Sequence, residues 1–404
     1  MSNIQLTLDS QNKEIDYTPW FKKNFSNEKT TINLATLFSG IGAIEYSLKR
    51  LKIKTNIVFA GDIDNFCKES YFANYNLSEK DWHDDVTSFS AKKYKYKVDL
   101  LVGGSPCQSF SIVGKRLGLE DTRGTLFYDF ARVVDECKPK VFIFENVKGL
   151  LSHDKGNTWK VMQNVFEDLG YDYYHQILNS KDYGIPQNRE RVFVVGFRKK
   201  TNFIFPEPIK LNTSMQDFLE DNIDSKYYLS QKGVKFVTSA KNIKKRYTQI
   251  NGEIALCQKR NQQVNWHGDF VFEGVENFQE FDEFIFDVQK VEDKYYLSEN
   301  VAEYVLSEGT KGFKAEPKTD LPVARALLST MHKMHRAGVD NYVTYKKGKI
   351  RKLTPRECLR LMGFRDDFKI VVSNLQAYRQ AGNSIVVDVL IALLKQIDIT
   401  KYGR

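Results

Sequence analysis

Between residues 32 and 197, hydrophobic and polar positions follow a pattern that predicts strands and helices in alternation. Short continuous apolar runs, typical of buried parallel strands, are separated by stretches with helical periodicity. The predicted strands read INLATLF, NIVFAGD, VDLLVGG, VFIFEN and RVFVVGF, and the predicted helices read IEYSLKRL, LFYDFARVVDECKP and WKVMQNVFEDLG. This alternation predicts an α/β fold with a doubly wound, mostly parallel sheet.

The alternation is lost from about residue 198 to residue 341, where charge rises and strand-like runs become short. Regular patterning returns in LTPRECLRLMGF, where Pro355 fits the first helical position after Thr354 as N-cap. The last run, NSIVVDVLIALLKQI, predicts a buried helix capped by Asn383 or Ser384. We therefore expect an N-terminal extension over 1–30, a catalytic and cofactor-binding domain over 31–199, a smaller irregular domain over 200–341, and a return to the catalytic domain over 342–404.

Composition narrows the class of protein. The chain has 404 residues, a net charge of +9, and lysine-rich runs interleaved with tyrosine, which favours a polyanionic partner. No apolar run reaches the roughly 18 residues of a membrane span, and the N-terminus is unlike a signal peptide, so a cytoplasmic protein is expected. Neither a disulfide framework nor a zinc ribbon is indicated by five scattered cysteines without a Cys-x-x-Cys pair. His332 and His335 are interpreted as two solvated side chains on one helix rather than as metal ligands.

The segment FSGIGA, from Phe38 to Ala43, connects the first predicted strand to the first helix. Gly40 and Gly42 would let the backbone approach a ligand at the helix N-terminus. Asp62 follows the next strand, where doubly wound folds place an acid against ribose hydroxyls. The third glycine of the dinucleotide fingerprint is missing, and Glu45 would repel a pyrophosphate. A nucleoside without phosphates, such as S-adenosylmethionine, therefore fits better, with Asp85 as a partner for the adenine amino group.

Cys107 lies in GGSPCQSFS, just past the carboxyl end of a predicted strand. Ligands of open parallel sheets bind at those ends, and Pro106 with its preceding glycines fixes an exposed loop. A reactive thiol is therefore expected at this position. The remaining cysteines are interpreted as small buried hydrophobes: Cys67, Cys137, Cys257 and Cys358.

Two further strands bring a carboxyl group and two guanidinium groups to the same rim. Glu145 lies at the end of the strand VFIFEN, while QNRERVFVVGF places Arg189 and Arg191 two apart at the start of a strand, so that both point to one face. Nucleophilic addition to a pyrimidine base is the chemistry that needs a thiol, a carboxyl group and guanidinium groups together. Thiolate attack at C6 of cytosine, with a hydrogen bond or proton at N3, makes C5 nucleophilic enough to accept a methyl group.

Six motifs, in this order, resemble those of the cytosine-C5 DNA methyltransferases of bacterial restriction–modification systems. They are FSGIGA for the cofactor loop, PCQ for the nucleophile loop, ENV for the carboxylate, QNRERVF for the arginines, LTPRECLRLMGF for the helix after the recognition region, and QAGNSIVVDVL for the last motif. The resemblance covers the whole α/β part. It departs from the family pattern in Ser105 before Pro106 and in Asp62 where many relatives carry Glu.

The resemblance implies roles for individual residues. Cys107 would be the nucleophile, Glu145 would contact N3, and Arg191 with Arg189 would support the base and the catalytic loop. The pocket for S-adenosyl-L-methionine would be formed by Phe38, Gly40, Ile41, Gly42, Asp62, Ile63, Asp85, Val86, Pro106 and Leu126, with Asn383 and Ser384 helping to hold the cofactor. The loop from residue 108 to about 125 would close over DNA once the target base has flipped out.

The same resemblance implies the partners. The substrate would be double-stranded DNA, recognised through residues 200–341. The by-product would be S-adenosyl-L-homocysteine, and no metal is expected. A monomer would be sufficient for catalysis on a flipped base, and a cognate restriction endonuclease would form no stable complex with it. The expected location is the bacterial cytoplasm, at the nucleoid. The alternatives are tRNA cytosine methylation, disfavoured by the large variable region, and an inactive DNA-binding relative, disfavoured by intact Cys107, Glu145 and Arg191. A nicotinamide dehydrogenase lacks the third glycine.

Overall fold

The computed structural model describes residues 18–106, 126–220, 249–250, 268–270, 295–307, 317–333, 335–345 and 349–404. The strands are β1 Thr31–Leu37, β2 Lys54–Phe59, β3 Leu100–Gly103, β4 Val141–Val147, β5 Asp172–Asn179, β6 Gln187–Asn188, β7 Glu190–Phe197, β8 Gln249–Ile250, β9 Gly268–Phe270, β10 Ala324–Arg325, β11 Asp340–Tyr345 and β12 Lys349–Lys352. The helices are α1 Ala43–Arg50, α2 Asn65–Asn74, α3 Leu126–Cys137, α4 Asn157–Asp168, α5 Glu299–Val305, α6 Pro355–Arg360, α7 Asn374–Asn383 and α8 Val387–Ile397.

A six-stranded sheet organises the molecule, in the order β2-β1-β3-β4-β7-β5. The first four of these strands pair in parallel, whereas β7 runs antiparallel to both β4 and β5. The prediction of a mostly parallel α/β sheet is thus confirmed. Because β7 is reversed, its first residues lie at the rim where β4 ends, and Arg191 pairs in register with Val147.

Both faces of the sheet are covered, as the continuous apolar strands predict. Along β4, Val141 and Ile143 belong to one core cluster, while Phe142 and Phe144 belong to the other. The first cluster includes residues of α1 and α8, and the second includes residues of α3 and α4. The helices therefore lie on opposite sides of the sheet, which leaves the ends of the strands open for a site.

Residues of the C-terminal helices belong to the core cluster on one face of this sheet. Thr354 caps α6 with Pro355 at its start, and Glu357 closes a capping box, as the sequence predicts. The predicted cap of the last helix is wrong, because Asn383 ends α7, Ser384 is the C-cap of α7, and α8 begins only at Val387. The Asn-Ser pair has the residue types of an N-cap, but the backbone turns between two consecutive helices there.

Among the described residues, one helical stretch, Asn374–Ile397, is long and apolar enough to cross a membrane by composition, but 67% of its most apolar window is buried inside the protein. That burial identifies it as core. Arg50 of α1 makes a double hydrogen bond to Asp388 of α8, which joins the first helix of the fold to the last.

Segments outside the sheet also pack onto it. Trp20 is buried, packs against Tyr183 and donates its indole N–H to the carbonyl of Glu207. The short strand β10 pairs with β6 beside the start of β7, and β8, β9, β11 and β12 form a separate four-stranded sheet. His332 lies in a turn, so the predicted helix carrying both histidines is wrong.

Candidate active site

The loop that leads to Cys107 begins beside Glu145. A Cβ atom on Gly104 would lie 2.8 Å from the carbonyl oxygen of Glu145 and 3.0 Å from its Oε2 atom, so only glycine allows this approach. The carbonyl of Ser105 accepts a 2.9 Å hydrogen bond from the side-chain amide of Asn146. Pro106 is exposed, and Cys107 itself lies outside the described residues. The described part of the loop thus directs the chain toward the rim at Glu145.

Glu145 and Arg191 form an ion pair at that rim. The Nε atom of Arg191 lies 3.2 Å from Oε1 of Glu145, and the side chains of Arg191 and Glu145 are 17% and 13% exposed. Burial raises the pKa of Glu145, against the lowering influence of Arg191 and then Arg189. A carboxyl group in this setting holds a proton more readily than one in water, so it can donate a hydrogen bond to a ring nitrogen.

Arg189 occupies a different environment from Arg191. It is buried, and its guanidinium donates to the carbonyl of Leu327 at 3.3 Å, Gly382 at 2.9 Å and Ser384 at 3.0 Å. The nearby side chain of Gln187 accepts from the Leu327 N–H at 2.9 Å. Arg189 therefore joins the start of β7 to two distant segments of the chain, whereas Arg191 faces Glu145.

Gly382 explains why these segments fit together. A Cβ atom there would lie 1.9 Å from the backbone nitrogen of Ser329, so the end of α7 packs directly against the 328–329 backbone. Ser384 is buried and Asn383 next to it is exposed. Arg189 thus fixes the backbone on either side of Asn383.

The cofactor loop, Phe38–Ala43, is held by hydrogen bonds from its neighbours. The N–H of Gly40 donates to Oδ2 of Asp62 at 2.9 Å, while Oδ1 of Asp62 accepts from the N–H of Asp64 at 3.0 Å. Gly40 has a φ of +53°, and a Cβ there would meet nothing within 4 Å. The loop therefore presents open space directly beside a fixed carboxylate.

Gly42 is constrained from the other side. Its φ is +77°, and a Cβ there would lie 2.3 Å from the ring of Tyr75. The Tyr75 hydroxyl donates to the carbonyl oxygens of Ile41 and Gly42 at 3.2 and 2.7 Å. The side chain of Ile41 is buried in the core, so only its backbone is available to a ligand.

The other predicted cofactor residues differ in exposure. Ile63 is 80% exposed, an unusual position for a large apolar side chain without a ligand. Asp85 is exposed and accepts two hydrogen bonds from Thr87, which lower its pKa and keep it ionised. The half-buried residues are Phe38, Val86 and Leu126. A polar cleft of about 580 Å³ lies next to Asp85 but includes no other predicted cofactor residue, so we do not identify it with the cofactor pocket.

These features fit S-adenosylmethionine. The loop offers free space at Gly40, Asp62 offers a carboxylate for hydroxyl groups, and Ile63 offers an apolar surface for a base. Among the described residues there is no group of three or more His, Cys, Asp or Glu side chains suited to a metal ion. Cys67, Cys137 and Cys358 are buried free thiols, as predicted, while Cys257 lies outside the described residues.

Sequence reasoning missed two supporting residues. Asn146 donates a hydrogen bond to the carbonyl of Ser105 and so holds the loop in place. Glu45, expected to face a ligand, is buried beneath the cofactor loop, where its Oε1 atom accepts from the hydroxyls of Thr36 at 3.0 Å and Tyr71 at 2.6 Å. The position of Asn146 directly after Glu145 at a strand end was an available signal, but the partners of Glu45 come from separate elements.

Comparisons with known proteins show which family and which folds the chain resembles. The sequence profile of the family described as C-5 cytosine-specific DNA methylase matches residues 32–398. The chain is 34% identical over 384 residues to type II methyltransferase M.SsoII of Shigella sonnei, covering 92% of this chain and 81% of that protein. It is 33% identical over 386 residues to type II methyltransferase M.HpaII of Haemophilus parainfluenzae, covering 94% and 92%. The crystal structure of S. pombe Dnmt2 methyltransferase resembles the fold, with a TM-score of 0.59 and 19% identity over 90% of this chain and 97% of its own.

Proposed function

The chain belongs to the C-5 cytosine-specific DNA methylase family, and from that premise we propose how its residues methylate cytosine in duplex DNA. It is a DNA (cytosine-5-)-methyltransferase of a family that depends on S-adenosylmethionine. The observation that carries the proposed mechanism is the Glu145–Arg191 pair, which lies beside the loop leading to Cys107.

In the proposed mechanism, the thiolate of Cys107 forms a bond to C6 of a cytosine that has flipped out of the duplex. Glu145 donates a hydrogen bond or proton to N3, which its raised pKa favours. Arg191 holds Glu145 in place and donates to the O2 atom of the base. Once C5 carries the methyl group, loss of the C5 proton to solvent and release of the Cys107 thiolate from C6 restore the aromatic ring, and a proton taken up at N3 returns to Glu145.

When bound, the cofactor supplies an electrophilic methyl group, and the chain's own residues position it. Gly40, Gly42 and the Phe38 backbone would form one side of the pocket, with Asp62 accepting ribose hydroxyl bonds. The remaining pocket residues in the proposal are Ile41, Ile63, Asp85, Val86, Pro106, Leu126, Asn383 and Ser384. The by-product would be S-adenosylhomocysteine, and the proposed chemistry requires no metal.

Residues 200–341 are proposed as the target-recognition domain, and the flanking parts 31–199 and 342–404 as the catalytic domain. Support comes from the loss of regular patterning and from the small separate sheet, of which β8 and β9 lie in this region, whereas β11 begins at its end and β12 follows it. M.SsoII and M.HpaII are type II enzymes, which supports a place in a restriction–modification system. We further propose a cytoplasmic, nucleoid-associated monomer whose cognate endonuclease acts separately.

Incubation with methyl-tritiated S-adenosylmethionine tests this function. Duplex DNA and tRNA are supplied in separate reactions, and the labelled base is identified after hydrolysis. Label in 5-methylcytosine of duplex DNA is the expected result. Label confined to tRNA, or found in N6-methyladenine, would contradict it. An E145Q variant serves as the matched control, because glutamine keeps the shape of the side chain but cannot donate a titratable proton to N3.

A further inference from the structure

A strongly basic surface lies at the edge of the sheet opposite the active site. It comprises the segments just before β3 and β4, the segment after β7, and the C-terminus, and we call it the basic face. Its members are Lys92, Lys93, Lys95, Lys97, Lys138, Lys140, Arg198, Lys199, Lys200 and Arg404. The lysine run at 92–97 alone is a weak signal, because such runs often form nothing more than a solvated face. Its convergence with three other segments is visible only in the fold.

Hydrogen bonds join these segments into one surface. The N–H of Tyr96 donates to the carbonyl of Cys137 at 2.8 Å, and its own carbonyl accepts from the guanidinium of Arg404 at 2.6 Å. The N–H of Arg198 donates to the carbonyl of Lys140 at 3.0 Å, and the Arg198 guanidinium donates to the carbonyl of Lys138. The backbones of the four segments are therefore held at fixed positions relative to one another, together with the Arg198 and Arg404 guanidinium groups.

Tyr96 acts as the centre of this arrangement. Its side chain is 55% exposed, and its φ of +61° is rare for a residue with a Cβ atom. The Arg198 guanidinium lies 5.1 Å and the Lys95 ammonium 5.5 Å from the centre of its ring. Cation–π contacts of this kind reduce the freedom of the two cations and keep them displayed to solvent.

The acidic residues of this edge neutralise only part of the charge. Asp99 is buried and lies 2.8 Å from the Lys140 ammonium and 3.8 Å from the Arg404 guanidinium, and Asp135 pairs with Lys138 at 2.6 Å. Within the described ranges, no carboxylate lies within ion-pair distance of the six exposed lysines Lys92, Lys93, Lys95, Lys97, Lys199 and Lys200. A polyanion is the partner that such a surface attracts.

The DNA that is being methylated cannot be the ligand of this surface. Lys140 lies just before β4 begins, and Glu145 lies near the end of the same strand. Five residues of extended chain separate them by roughly 16 Å through the buried sheet. A duplex held at the Glu145 rim therefore leaves the basic face open to solvent.

We propose that the basic face binds a second segment of duplex DNA while the first occupies the active site. Phosphate contacts without base contacts suit this surface, since its groups are lysine and arginine side chains on a rigid edge. A protein that contacts two segments at once can pass from one to the other without dissociating into solution. The basic face would then speed the search for target sites on long DNA.

The test measures how fast the enzyme leaves a labelled short duplex as unlabelled competitor duplex is increased. Direct transfer makes the observed rate rise with competitor concentration, whereas simple dissociation leaves it constant. The test variant carries K95E, K97E and K199E. The control variant carries K22E, K80E and K369E, which change the net charge equally on exposed lysines outside the basic face.

The wild type and the control should show the competitor-dependent rate. The test variant should lose it by roughly tenfold or more, because three reversed charges remove several phosphate contacts. All three proteins should methylate a short duplex at the same rate, which separates this inference from the mechanism itself. A competitor-independent rate in the wild type, equal transfer by the test variant, or transfer that only RNA competitors produce would overturn the proposal.

Discussion

Replacing Glu45 with glutamine removes a buried carboxyl group from beneath the cofactor loop. Burial raises the pKa of Glu45 from 4.5 to about 6, although the hydroxyl groups of Tyr71 and Thr36 oppose that rise. Glutamine can keep both of those bonds through its own Oε1 atom. The substitution therefore changes mainly the charge, and the effect on stability should depend on pH.

The direction of the Glu45 pKa shift determines whether the free energy of unfolding rises or falls with pH. Because the folded-state pKa of Glu45 lies above the unfolded value, the carboxyl stabilises the fold most below pH 4.5, and this contribution is lost as pH rises through 6. The loss totals about 2 kcal/mol, of which about 1.2 kcal/mol falls between pH 5 and pH 8. Relative to the wild type, E45Q should therefore gain stability across this interval.

Urea unfolding of both proteins at a series of pH values measures this difference. E69Q, which removes an exposed carboxyl of α2, controls for the loss of one negative charge. Y71F should move the Glu45 transition to higher pH, because it removes a bond that lowers the pKa. A difference between E45Q and wild type that stays constant from pH 5 to pH 8 would refute the reasoning.

Three other substitutions test the packing around the site. G42A should weaken cofactor binding and lower the free energy of unfolding by about 1–3 kcal/mol, because Gly42 has a positive φ. In G149A the added Cβ would meet nothing within 4 Å, so calorimetry should show normal cofactor binding. R189K should cost roughly 1–3 kcal/mol in thermal unfolding, because the single nitrogen of an ammonium cannot occupy both positions from which Nη1 and Nη2 of Arg189 donate to the three carbonyl groups. N146A should lower kcat more than it raises KM for DNA, since the Ser105 carbonyl loses its donor at the base of the nucleophile loop.

The sequence was sufficient to predict the rim of the site and five of the six strands of the central sheet, whereas β5, which has no continuous apolar run, was not predicted. The apolar runs fall on β1, β2, β3, β4 and β7, and Glu145 and Arg191 meet where those patterns end. The alternation of side chains along each strand and the order of the strands constrain both features strongly. Side chains at the ends of neighbouring strands can therefore adopt only a few positions relative to one another. The antiparallel direction of β7 was not predicted, since apolar runs alone carry no direction.

The other features of the site could not be predicted, because they depend on contacts between residues that are far apart in the sequence. Arg189 and Arg191 have the same side chain two residues apart, yet one serves distant carbonyl groups and the other serves Glu145. Only the position of α7 against the 328–329 backbone distinguishes them. The prediction that Asn383 or Ser384 caps the last helix was wrong for a related reason. Residue types that are common at the start of a helix can also stand at the end of one when a second helix follows closely.

The central claim is that Cys107 bonds to cytosine, and covalent trapping tests it most directly. Duplex DNA in which 5-fluorocytosine replaces cytosine is incubated with the protein and S-adenosylmethionine, and the intact mass is measured. The wild type and a C67A control should form a protein–DNA adduct, while C107S should form none and still bind the cofactor. An adduct with C107S, or its absence in a wild-type protein that methylates ordinary DNA, would contradict the mechanism.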